Sequence, residues 1–308
     1  MSQKVFISTS SFGEFSSEPV DLLKREGFEV TLNPLGRKLN ETETIEFLKD
    51  NVGVIAGTEK YSEKVFNSLD LLKVVSRVGV GVDNIDFEAA ASRSISVVAT
   101  KTDLSKAVAE LALAMIFDLS RKVTNHHNAV KSRKWIKSMG SLVYGKTLGI
   151  MGLGKIGKSL IEMTSGFGLK YIAYDNYKDE TFAATHHISY VTENELLKQS
   201  DIVSLHLKYS PELYHLLTEE KLRLLKNDAI LINTSRGELI DEKALFSLLN
   251  EKSFGGAGLD VFQEEPYEGI LCGLTNVVLT PHIGSFVKEI RSDMEMEAVQ
   301  NFIKQMKK

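Results

Sequence analysis

Gly152-Leu153-Gly154-Lys155-Ile156-Gly157 decides the fold, because of what flanks it. Before it, Lys146-Thr147-Leu148-Gly149-Ile150 reads as a short apolar strand; after it, Ser159-Leu160-Ile161-Glu162-Met163 reads as an amphipathic helix. Tyr171-Ile172-Ala173-Tyr174 reads as a second strand, ending on Asp175. Strand, Gly-x-Gly-x-x-Gly, helix, strand and terminal acid make up the dinucleotide-binding fingerprint. Gly152 permits the tight turn, Gly154 lets the backbone approach a pyrophosphate, and Gly157 lets helix and strand pack closely. Lys155 and Ile156 complete the turn, and the helix N-terminus offers its N–H groups and positive dipole end to phosphate charge. Asp175 is placed to accept hydrogen bonds from both ribose hydroxyls of an adenosine. A carboxylate there repels a 2′-phosphate, and Asn176-Tyr177 supply no arginine to neutralise one, with Lys178 the nearest cation. NAD is expected over NADP.

A chain of 308 residues suits two domains rather than one core. Hydrophobic content of 43% and charged content of 25% are those of a globular protein. The net charge of −4 gives no reason to expect nucleic acid or an anionic membrane as partner. The single cysteine, Cys272, excludes an intrachain disulfide framework and suits a reducing compartment. No apolar run approaches a membrane span, and Met1-Ser2-Gln3-Lys4 leads straight into strand-like Val5-Phe6-Ile7 rather than a signal sequence. A cytoplasmic location is expected. His126-His127 and His186-His187 read as solvated surface pairs, and no metal site is expected.

Short apolar or β-branched runs alternate with helical patterns through the first hundred residues, as in Val5 to Ser8, Glu29 to Leu32, Val52 to Ala56, Lys73 to Ser76 and Ile95 to Val98. That alternation implies a parallel sheet with helices on its faces. Ala107 to Leu119 is an almost wholly apolar helix, expected between domains or subunits. A polar stretch, Arg121 to Gly145, holds the only tryptophan, Trp135. From Lys146 a second alternating set begins, and a last helix, about Val287 to Lys307, follows it.

Ligands of doubly wound sheets bind outside the carboxyl ends of the strands. Arg236 follows the strand at Ile230 to Asn233, Glu265 the one ending near Phe262, and His282 the one at Val277 to Thr280. Singly, each reads better as a surface arginine, a solvated glutamate or a histidine hydrogen-bonding its own loop. Together, beside a nicotinamide site, they suit hydride transfer. That reaction needs a base for the hydroxyl proton and a cation for developing negative charge. Histidine exchanges protons near neutrality, a glutamate on its other nitrogen fixes the tautomer, and arginine's planar fork holds a carboxylate.

With these residues in view, the sequence resembles the D-isomer-specific 2-hydroxyacid dehydrogenases, and within them the phosphoglycerate dehydrogenase-like branch. The resemblance runs through Gly57-Thr58-Glu59-Lys60, Arg77-Val78-Gly79-Val80-Gly81-Val82-Asp83, Val108-Ala109-Glu110-Leu111, the glycine fingerprint, Asn233 to Gly237, Asp260-Val261-Phe262 with Glu265-Pro266, and Pro281 to Ser285. It implies two Rossmann-like, doubly wound parallel-sheet α/β domains. A flavodoxin-like substrate domain would comprise residues 1–100 and 285–308, with the NAD-binding domain, 101–284, inserted. Arg236, Glu265 and His282 would be the catalytic set, and N–H groups around Val78-Gly79 would hold the substrate carboxylate. Thr234, Asp260 and Ser285 would join the cofactor contacts, the first two on the nicotinamide side, and His206 the adenosine side. A homodimer formed through the cofactor domain is also implied.

Two segments depart from the family's pattern: Thr100 to Leu104, beside the expected substrate cleft, and Lys208 to Leu213, beside the adenine pocket. The chain ends soon after its last helix, so a C-terminal regulatory domain is not expected. The leading expectation is oxidation or reduction of a small D-2-hydroxy or 2-oxo acid, with 3-phosphoglycerate the first substrate candidate. Lys60, Arg77 and Lys101 are the cations available to a phosphate. The alternatives are a glyoxylate or hydroxypyruvate reductase and, in a different class, a non-catalytic NAD(H)-sensing protein.

Overall fold

The computed structural model describes residues 3–308; Met1 and Ser2, part of the N-terminal reading above, lie outside them. Contacts divide the chain into two units, Met1–Asp103 with Phe286–Lys308, and Leu104–Ser285.

The first unit holds a parallel sheet of β1 (Gln3–Ile7), β2 (Phe28–Leu32), β3 (Gly53–Ala56), β4 (Val74–Arg77) and β5 (Ser96–Ala99). Its order, β2-β1-β3-β4-β5, is the flavodoxin-like one. The helices are α1 (Glu18–Arg25), α2 (Glu41–Leu48), α3 (Glu63–Asn67) and α4 (Phe87–Ser92). The chain's last helix, Lys288–Met306, returns to this sheet. Its Phe302 lies so close over β3 that a Cβ on Gly53 would stand 2.1 Å from the ring. Glu297 of that helix accepts the N–H groups of Lys101 and Thr102. These bonds tie the residues after β5 to the first unit, so the boundary falls at Asp103 rather than at residue 100.

The second unit begins with α5 (Ser105–Arg121) and α6 (Val123–Lys131). Its seven parallel strands are β6 (Thr147–Met151), β7 (Lys170–Tyr174), β8 (Ile188–Tyr190), β9 (Ile202–Leu205), β10 (Ile230–Asn233), β11 (Gly256–Leu259) and β12 (Val277–Leu279). Between them lie α7 (Lys155–Thr164), α8 (Glu180–Thr185), α9 (Glu193–Gln199), α10 (Glu219–Leu222) and α11 (Glu242–Asn250); the returning helix of the first unit is α12. The order β12-β11-β10-β9-β6-β7-β8 reverses between β6 and β9, the Rossmann arrangement. Both faces are covered, so β9 and β10 are buried along their whole length, as parallel strands require.

Two elements add to the sequence reading. The apolar helix α5 packs one face into the second unit's own core. Its Ala109, Ala112, Met115 and Ile116 pack with residues of β6, α7 and β10. The polar stretch after it contains α6, which leaves α5 through a left-handed Lys122 at φ +54°.

Candidate active site

Gly152 follows β6 at φ +96°, and a Cβ there would stand 2.7 Å from the His206 carbonyl carbon. Only glycine fits that backbone and that approach. A Cβ on Gly157 would stand 2.7 Å from the Gly152 oxygen, so the third glycine does let helix and turn touch. Beside Gly154 the same construction meets nothing within 4 Å. Gly154 is also the N-cap of α7 and brings no side-chain cap, so the helix dipole faces open space. Asp175 grips the turn from β7: its two oxygens accept the N–H groups of Leu153 (2.7 Å) and Tyr177 (2.8 Å). Lys178 lies over the Tyr190 ring, 5.4 Å from its centroid.

Two neighbouring loops carry buried polar atoms with no protein partner. One is His206 Nδ1, after β9; the other is Thr234 Oγ1, after β10. His206 Nε2 is bonded to Ser204 Oγ at 2.9 Å, and burial pushes the imidazole down to about 4.

The carboxyl ends of β10, β11 and β12 are adjacent, and each is braced. Asn233 accepts Ser235 N–H and donates to the Arg236 carbonyl, folding the Arg236 loop onto itself. Arg236 donates from Nη1 to the Ser235 carbonyl at 2.7 Å. Gly237 leaves no room for a side chain; a Cβ would stand 2.0 Å from the Phe262 carbonyl carbon. The Arg236 loop therefore packs directly on the loop that carries Glu265. His282 has φ +56°, a conformation an L-residue keeps only when its surroundings impose it. Here they do. Asp260, 1% exposed, accepts Thr280 Oγ1–H (2.6 Å), Ile283 N–H (2.7 Å) and Gly284 N–H (2.8 Å). Burial pushes the Asp260 carboxyl up, and those three donors pull it back. His282 Nδ1 then lies 3.1 and 3.0 Å from the two oxygens of Glu265. Its Nε2 is the nitrogen left for another partner.

In the first unit the expected carboxylate donors are engaged elsewhere. Val78 N–H donates to the Ala56 carbonyl (2.9 Å) and Gly79 N–H to Thr100 Oγ1 (3.0 Å). Next to them, the N–H groups of Val80 and Gly81 meet no acceptor among the described residues. Arg77 is buried and donates to the Val78 carbonyl, with its guanidinium folded over Gly79 at φ +142°. Lys60 and Lys101 are exposed, and Lys101 lies beside the Glu297 carboxylate, whose pKa it helps lower.

The other sequence candidates scatter. His126 binds the Ser138 N–H through Nε2 (3.1 Å), and His186 packs on Phe182 at 4.2 Å between ring centroids, so neither is a purely solvated surface histidine. Among the described residues no three His, Cys, Asp or Glu side chains gather as metal ligands, and no helix is long and apolar enough to cross a membrane.

Open space at Gly154, an uncapped helix end and two orphaned polar atoms fit a dinucleotide along the glycine turn. Comparison with known proteins agrees. Residues 113–284 match the model of the D-isomer specific 2-hydroxyacid dehydrogenase NAD binding domain. A glyoxylate reductase of Thermococcus litoralis is 41% identical over 256 residues, 80% of this chain and 77% of its own. The chain belongs to the D-isomer-specific 2-hydroxyacid dehydrogenases. This dehydrogenase is an oxidoreductase and its cofactor is NAD. The D-3-phosphoglycerate dehydrogenase of Methanocaldococcus jannaschii is 38% identical to it over 82% of this chain and 49% of the relative. D-lactate dehydrogenase of Escherichia coli superposes with a TM-score of 0.86 at 28% identity, over 99% of this chain and 97% of that one.

The buried His206 gives the dehydrogenase a defined acid sensitivity. Its folded pKa, about 4, lies below the ordinary histidine value of about 6.5, so the unfolded chain binds the proton first. Folding stability from this group is complete above that value and falls as pH drops through the window. Urea titrations across it should show His206→Gln losing less stability on acidification than the parent. Parallel losses would exclude His206 as the source.

Proposed function

We propose that this dehydrogenase interconverts a small, unphosphorylated 2-oxo acid of the glyoxylate or hydroxypyruvate class with its 2-hydroxy acid, using Arg236, Glu265 and His282. The Glu265–His282 pair carries the reading, with a carboxylate on Nδ1 and Nε2 left for substrate. Bound NADH supplies the hydride for C2. His282 gives the Nε2 proton to the C2 oxygen as charge develops there, and takes it back in the oxidation. Glu265 holds the ring and stabilises its cationic form. Arg236 pairs with the substrate carboxylate and the reacting oxygen. Within the first unit, the N–H groups around Val78-Gly79 that remain available to a carboxylate are those of Val80 and Gly81.

Along the glycine turn, Gly152, Gly154, Lys155, Ile156 and Gly157 would hold the pyrophosphate. Asp175 would take the adenosine ribose and His206 the adenine side, while Thr234, Asp260 and Ser285 would line the nicotinamide side. NAD is favoured over NADP because Asp175 sits at the turn while Lys178 is drawn to the Tyr190 ring.

The cations support an unphosphorylated substrate. Of the three available to a phosphate, Arg77 is buried under Gly79 and Lys101 faces Glu297, which leaves Lys60. Glyoxylate reductases among the relatives agree with that choice. The single Cys272 supports work in a reducing, cytoplasmic setting. A homodimer is supported by Trp135 at 82%, Met139 at 90% and Leu142 at 70% exposure, in a segment of the second unit that follows α6. Sedimentation should find a dimer in the parent and a monomer in Met139→Glu; a monomeric parent removes the proposal.

A substrate panel followed by NADH absorbance tests the function. Glyoxylate and hydroxypyruvate should turn over faster with NADH than with NADPH, and phosphohydroxypyruvate, the 2-oxo partner of 3-phosphoglycerate, should turn over poorly. His282→Asn should keep NADH affinity and lower turnover by about 10²–10⁴. Near-parental turnover in that variant refutes the catalytic assignment; preference for the phosphorylated acid refutes the substrate class.

A further inference from the structure

We propose that Gln263 and His215 are positioning residues for Glu265, and that the brace they form holds only while His215 is neutral. The inference rests on Glu265 and His282 being the catalytic pair. It begins in the Lys208 to Leu213 segment, which the family pattern did not explain. Just beyond that segment, the chain pairs with the residues before α11. His215 N–H donates to the Glu238 carbonyl (2.8 Å), and Leu217 bridges Ile240. His215 is held in a left-handed conformation, φ +51°, with Tyr214 stacked on its ring at 3.9 Å.

From there His215 reaches the loop that bears Glu265. Gln263 Nε2 lies 2.8 Å from His215 Nε2 and 2.8 Å from the Ile240 carbonyl oxygen, and Gln263 N–H donates to Glu242 Oε1 at 2.8 Å. Glu265 is two residues further on, and its Oε1 also accepts the Phe262 N–H. A backbone carbonyl only accepts, so Ile240 fixes which end of the Gln263 amide faces it: the nitrogen. The second hydrogen of that nitrogen then points at His215 Nε2, which must carry a lone pair. His215 is thereby fixed as the neutral tautomer protonated on Nδ1, 3.9 Å from Asp241 Oδ2.

A second proton on His215 sets two N–H groups against each other. Turning the amide over relieves that clash but sets two oxygens together at Ile240. Either way one bond of the brace is lost. The groups facing His215 are Asp241, Glu242, Gln263 and the Tyr214 ring, with Glu238 and Glu264 acting on Glu242.

Saturating glyoxylate reduction separates this brace from His282. Reduction starts with His282 protonated, so acid does not remove its proton donor. We expect the parental kcat nonetheless to fall on acidification, because a second proton on His215 opens the bond to Gln263. Gln263→Leu and His215→Leu should lower kcat at neutral pH by between about ten- and a hundredfold. NADH affinity should stay unchanged, and the acid side should be flat because the brace is already open. His215→Gln offers Gln263 a non-titrating carbonyl and should restore turnover, again with a flat acid side. Parental turnover in both leucine variants, or an acid limb that survives in His215→Gln, overturns the proposal. Glu265→Gln is the control: lowered turnover there alone means the brace fails, whereas parental turnover there means the catalytic pair itself was misassigned.

Discussion

The arrangement at the strand ends depends on one buried carboxylate. Asp260 closes β11, and its two oxygens receive three donors from the next loop, from Thr280, Ile283 and Gly284. Those bonds bracket His282 on both sides and hold it at positive φ. A buried carboxylate is costly unless its lone pairs are used, and removing one partner leaves the rest of the charge uncompensated. The loop and the acid therefore require each other. A Cβ on Gly284 would lie 3.1 Å from Asp260, so the small residue there permits the clamp. Given this loop, the Glu265–His282 contact follows from the parallel pairing of β11 with β12.

Both units use the same device for different ends. In each, the strand order reverses next to the strand that opens the unit, and loops diverge at that switch point. In the second unit the space is kept open by glycine and by polar atoms left without protein partners. At the corresponding end of the first unit, several buried groups bond one another: Glu59 accepts from Gly57 N–H and Tyr61 O–H, and Gly79 N–H donates to Thr100 Oγ1. An unfilled polar site can take a ligand, whereas a filled one shapes the backbone around it.

Much of this was legible in the sequence because the signals were local. Glycine spacing, a terminal acid and apolar alternation are short-range patterns, so most strands of the described residues were read directly. Strand β8 was missed because Ile188-Ser189-Tyr190 is too short to show a period. Helix α6 was missed because Val123 to Lys131 buries no residue and therefore has no apolar stripe to read. The non-local features were illegible. Val78 and Gly79 matched the motif, but their N–H groups go to Ala56 and Thr100, distant in the chain. Asp260 was expected at the nicotinamide; its hold on the His282 loop, 20 residues or more away, leaves no mark in composition or spacing.

The central claim is that Glu265 fixes His282 with Nδ1 engaged and Nε2 left for the reacting oxygen. ¹⁵N NMR of histidine-labelled protein, with the His282 signals assigned by their loss in His282→Asn, reads that state directly. At a pH where the ring is neutral, the account predicts a proton on Nδ1 and a bare Nε2, with the preference weakened in Glu265→Gln. A proton on Nε2, or signals indifferent to Glu265→Gln, would contradict it.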